Sequence, residues 1–66
     1  MSYRVHIIVK QRINAQELWK HIAKYPVNLV ELDDSTWVYG EIDDKDLGAL
    51  VTKCGEFGDI DASIQS

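Results

Sequence analysis

The chain has 66 residues, 45% hydrophobic and 27% charged, with a formal net charge of −4 and a single cysteine. That length holds one domain, residues 1–66, and one thiol excludes both a disulfide framework and a metal centre built from several thiolates. The negative charge disfavours nucleic acid or an anionic membrane as a partner, because both need a basic surface.

No stretch approaches the roughly 18 consecutive apolar residues of a membrane-spanning helix. The first residues lack the basic-then-apolar pattern of an export signal, and a free cysteine without one fits a reducing cytoplasm.

Tyr3 to Lys10 is the first predicted strand. Tyr3, Val5, Ile7 and Val9 fall on one face; Arg4, His6, Ile8 and Lys10 fall on the other. Asn14 then stands as a helix N-cap with Glu17 three residues on, a variant of the capping box, and Ile13 and Leu18 are placed for a hydrophobic staple. Ala15, Leu18, Ile22 and Tyr25 recur at helical spacing, which predicts a helix to about Lys24, before Pro26.

Asn28 to Leu32 is the second predicted strand, Asp33-Asp34-Ser35 the turn, and Thr36 to Ile42 the third strand. Two registers are open. A three-residue loop puts Val30 and Leu32 on the face of Val38, Gly40 and Ile42; a four-residue loop puts them beside Trp37 and Tyr39. The first gathers the aliphatic residues into one core and is the expected register.

Asp43 or Asp44 caps a second helix with acidic residues in its first turn, favourable at the positive end of the helix dipole. Leu47, Leu50, Val51 and Cys54 follow the helical template, and Gly55 fits the position just past the end. Phe57 closes the core edge. Asp59 to Gln65 is the last strand, with Ile60, Ala62 and Ile64 inward and Asp59, Asp61 and Ser63 outward.

The element order is β-α-β-β-α-β. It predicts a ferredoxin-like α+β domain: a four-stranded antiparallel sheet in the order 4-1-3-2 with two helices on one face. The other face then carries Arg4, His6, Ile8 and Lys10 beside Trp37, Tyr39 and Glu41. Asp59, Asp61 and Ser63 lie on one side of these rows and Leu29 and Glu31 on the other. Those seven residues of the first and third strands are the candidate binding surface.

Three readings of that surface follow. Trp and Tyr suit the core of a protein interface, which makes the chain a non-enzymatic module that self-associates through the open face or an edge, as a homodimer, or binds another protein. Trp37 and Tyr39 with Arg4 and Lys10 also suit single-stranded nucleic acid, although the acidic strand and the net charge oppose it. A small-ligand module like the ACT regulatory domains is the third, and it needs a dimer to enclose a pocket. The bland alternative is that the aromatics pack into the core.

No catalytic set is visible. His6 has Asp61 or Tyr39 as possible neighbours but no nucleophile in reach, and His21 reads as solvated. Cys54 completes an apolar stripe and is expected inert. Asp43, Asp44 and Asp46 lack the spacing of a calcium loop, and the scattered glycines build no phosphate loop. No metal and no cofactor is expected.

The run Val38-Tyr39-Gly40-Glu41-Ile42-Asp43, followed by Leu47, resembles the third strand and helix start of heavy-metal-associated domains. Their chemistry lies in a Cys-x-x-Cys loop after the first strand. The corresponding Lys10-Gln11-Arg12-Ile13-Asn14 has no thiol, so the resemblance implies the fold and not the metal.

Overall fold

A computed structural model describes all residues, 1–66. The elements are β1 (Ser2–Val9), α1 (Ala15–Ile22), β2 (Val27–Glu31), β3 (Thr36–Asp43), α2 (Asp44–Phe57) and β4 (Ile60–Gln65). The strands form one antiparallel sheet in the order β2-β3-β1-β4, which is the 4-1-3-2 order the sequence predicts. The architecture is α+β.

The alternation in β1 divides the molecule. Val5, Ile7 and Val9 are buried with Val27, Val38 and Ile42 of the neighbouring strands. Leu18 and Ile22 of α1 and Leu50 and Cys54 of α2 complete that cluster, so both helices cover the same face of the sheet. Burying a side chain of this size contributes about 1.5–3 kcal/mol, and a domain this short has few of them. Tyr3, Ile13, Tyr25, Leu29, Leu47, Val51, Phe57 and Ile60 pack around its margin.

Asn14 caps α1 as its sequence predicts: its backbone is extended, and its side-chain oxygen accepts the Glu17 N–H at 3.1 Å. The helix stops at Ile22, short of Lys24. The Pro26 ring would collide with the carbonyl of Ile22 in a continued helix. The chain instead tightens, with the Tyr25 N–H donating to the Ile22 carbonyl at 3.0 Å.

The hairpin takes the four-residue connection, Leu32 to Ser35, which corrects the expected register. Val30 lies opposite Trp37 and Leu29 opposite Val38. Val30 and Leu32 therefore lie on the open side of the sheet, and Leu29 turns toward the helices. The cause lies at the start of β2. Val27 opposes Gly40 and is buried in the core, and period two from Val27 fixes the rest. Gly40 permits this approach: its φ is 153°, and a Cβ there would meet the Pro26 carbonyl oxygen at 2.6 Å and the Val27 Cα at 2.8 Å.

Asp43 occupies the N-cap position of α2, but its side chain makes no capping bond. Its carboxylate is 3.9 Å from the amino terminus, and the Asp44 N–H donates to the Met1 carbonyl at 2.8 Å. The helix runs through Gly55 to Phe57, later than expected. Gln11 Nε2 donates to the Phe57 carbonyl at 3.3 Å, so the connection after β1 satisfies one of the last carbonyls of α2. Phe57 is half-buried, its ring 6.4 Å from that of His21.

Candidate functional site

The pairings fix which residues adjoin on the open face. Across one row, Val30 is opposite Trp37, Trp37 opposite Ile8, and Ile8 opposite Asp61. The next row reads Asn28, Tyr39, His6, Ser63; the one below it holds Glu41, Arg4 and Gln65. Leu32 continues the β2 side beyond Val30. An apolar row thus crosses three strands, with Leu32 above it and Tyr39 below it. Val30, Leu32 and Tyr39 are 38%, 41% and 41% exposed, an uncovered patch of large apolar side chains.

Between these side chains lies a shallow, open depression of about 720 Å³. Val30, Leu32, Trp37 and Tyr39 line it on one side, and Arg4 and His6 on the other, with Glu41 at its lower border. The His6 ring meets Trp37 edge-on, centroids 4.6 Å apart and planes at 65°. Trp37 is half-buried in consequence, while Tyr39 is exposed. His6 Nε2 is buried and has no hydrogen-bond partner.

His6 pairs with Tyr39 and Ser63 by register, yet it exchanges no hydrogen bond with either, and Asp61 is one row away. No close ion pair joins Arg4 or Lys10 to Asp59 or Asp61. The chain's close charge pairs involve Met1, Glu17, Lys20, His21, Asp43, Lys53 and Glu56; of these only Asp43 lies on a strand, at the end of β3, where it meets the amino terminus. Arg4 and Glu41 are cross-strand neighbours without a close ion pair, and Lys10 and Asp61 form none, so these four charges border the apolar centre.

All seven candidate residues except Lys10 fall inside the grid above. Lys10 follows the end of β1, exposed, its N–H donating to the Asp59 carbonyl at 2.8 Å. The sequence reading missed Val30 and Leu32. Val27 directly after Pro26, with Gly40 to receive it, was the available signal.

Two other groups are placed away from the face. Burial pushes the Cys54 thiol from 9.0 up to about 11, so it is a poor nucleophile at neutral pH. Asp43, Asp44 and Asp46 gather at the start of α2 without forming a cluster that would share a metal ion. No helix is long and apolar enough to cross a membrane.

No protein-family model, no curated protein and no solved structure matches this chain.

Proposed function

We propose that this chain is a cytoplasmic, ferredoxin-like interaction module with no catalytic activity, which self-associates by packing its open sheet face against that of a second copy. The observation that carries the reading is the apolar row Val30–Trp37–Ile8, extended by Leu32 and Tyr39 and left uncovered by the helices.

A second copy is the occupant that the charges favour. Interfaces combine an apolar centre with a polar rim. Here the rim holds both signs, Arg4 and Lys10 with Glu41 and Asp61, none of them in a close ion pair within the chain. Two-fold packing can set the cations of one copy against the anions of the other, because an isologous contact uses the same patch twice. Single-stranded nucleic acid is the alternative occupant. Arg4 beside Trp37 and Tyr39 favours it, and Glu41, Asp61 and the net charge of −4 oppose it.

The test is the Trp37→Ala/Tyr39→Ala double variant. On this reading it keeps its far-ultraviolet circular dichroism and loses association. Association unchanged in the double variant would contradict the reading. An oligonucleotide that quenches tryptophan fluorescence at low salt, with the quenching reversed by added salt, would support the alternative instead.

A further inference from the structure

The second uncovered surface is a strand edge. In the order β2-β3-β1-β4, β4 has a neighbour on one side only. Its pairing with β1 runs without interruption from Val9–Ile60 to Arg4–Gln65, so no bulge bends it away. The Lys10 N–H donates to the Asp59 carbonyl. Since bonded pairs alternate along an antiparallel ladder, Asp59, Asp61, Ser63 and Gln65 direct their amides at β1, and Ile60, Ala62 and Ile64 direct theirs outward. Nothing in the chain meets those outward groups.

Natural edges are commonly guarded by lysine, proline or a bulge. Ile-Asp-Ala-Ser-Ile-Gln has none of these. Its helix side is bare as well: Ile60 packs on the core margin, but Ala62 is exposed and Ile64 is 44% exposed. The opposite edge differs. At β2, Pro26 has no N–H, and the Val27 N–H is already given to the Tyr25 carbonyl at 2.8 Å.

We infer that β4 is a self-association surface distinct from the open face, pairing antiparallel with β4 of a second copy about a two-fold axis at Ala62. The register follows from the faces and the charges. Both copies keep their helices on the same side of the joined sheet only if residues of like face meet, so the axis passes through a residue and not between two. An axis at Asp61 sets two carboxylates against each other, which is destabilising. An axis at Ser63 sets Ile60 against Ser66 and Ile64 against Ala62, so the two isoleucines do not meet. An axis at Ala62 sets Ile60 against Ile64 of the other copy and Asp61 against Ser63. It covers the exposed isoleucine, separates the acidic residues and engages all the outward backbone groups.

The experiment is molar mass by sedimentation over a concentration series, with variants that touch only the outer edge. Ala62→Pro removes an outward N–H and leaves the bonds to β1 in place; Ile64→Lys puts a charge beside the edge. Both are expected to weaken association at least tenfold with unchanged circular dichroism. In parallel, Ala62→Cys is expected to oxidise to a disulfide-linked dimer, because the axis brings the two copies of that residue within disulfide reach. Gln65→Cys, opposite Asp59 in this register, is expected to form no disulfide-linked dimer.

The inference stands apart from the open-face reading, and the two fail separately. If both surfaces act, the wild type exceeds a dimer and each surface's variants stop at a dimer. Mass unchanged by Ile64→Lys, together with no cross-linking of Ala62→Cys above that of Gln65→Cys, overturns the edge proposal whatever Trp37→Ala/Tyr39→Ala does. Should Ala62→Pro fail to fold, Ile64→Lys and the cross-linking pair still decide it.

Discussion

The imidazole of His6 stands edge-on against the indole of Trp37, centroids 4.6 Å apart, on the side of the sheet that the helices leave bare. That contact orients Trp37 across the sheet without burying it completely. Aromatic pairs of this kind contribute about 0.5–1.5 kcal/mol beyond their burial. The structure therefore separates Trp37 from the core, which closes on the other face around Ile7, Leu18 and Leu50.

The first prediction concerns folding alone. Trp37→Ala/Tyr39→Ala stays folded, at a cost of about 2 kcal/mol, roughly half of what truncating a fully buried aromatic costs. Chemical denaturation followed at Trp19 measures it. A variant unfolded in buffer would mean that the two rings belong to the core.

The glycines of β3 and α2 behave oppositely. Gly40 has φ 153°, and a Cβ there meets backbone atoms of Pro26 and Val27, which cannot swing aside. Gly40→Ala is expected to destabilise by about 2 kcal/mol or more. Gly48 lies in α2 with nothing within 4 Å of a Cβ, so Gly48→Ala is expected to stabilise by about 0.5–1 kcal/mol. Urea midpoints of the two variants, read on either side of the parent, check both signs.

These glycines also mark where the sequence was legible and where it was not. Val5, Ile7 and Val9, and Leu50 with Cys54, declare their burial through local period alone, and the Asn14 cap needs only Glu17 nearby. The β2 register cannot be read that way. Leu29, Val30 and Leu32 are all aliphatic, so either face accepts them, and the choice falls to the packing of Val27 on Gly40, residues distant in sequence. The end of α2 was hidden for a similar reason: a Gln11 side chain from the other end of the chain supports Phe57. Six of the seven face residues, all but Lys10, had their side of the sheet legible from period two, while Val30 and Leu32, being tied to the register, did not.

Thr36 offers a stabilising change. It is fully buried on the helix side, and its Oγ1 has no partner. An unsatisfied buried hydroxyl costs about 1–3 kcal/mol. Thr36→Val keeps the shape and removes the hydroxyl, and it is expected to raise stability by about 1 kcal/mol. A shift of the denaturation midpoint to higher urea at constant slope records it.

The Cys54 thiol makes stability fall at high pH. It ionises at 9.0 when unfolded and only at about 11 in the fold, because burial disfavours the thiolate. Between these values the unfolded chain has lost a proton that the native chain keeps, so each pH unit costs up to about 1.4 kcal/mol. Below pH 9 this contribution is flat. Cys54→Ala is expected to show a shallower decline over the same window, measured by urea titrations from pH 8 to 11. Equal slopes for the two proteins would place the thiol in water.

Molar mass in solution, followed by sedimentation from micromolar to millimolar concentration, tests the central claim most directly. The account predicts that the wild-type mass rises above that of the single chain. It also predicts that Trp37→Ala/Tyr39→Ala weakens association by about 30-fold or more, the loss that comes with removing a central aromatic anchor. A wild-type chain that stays monomeric throughout, or a folded double variant that associates as the parent does, would contradict it.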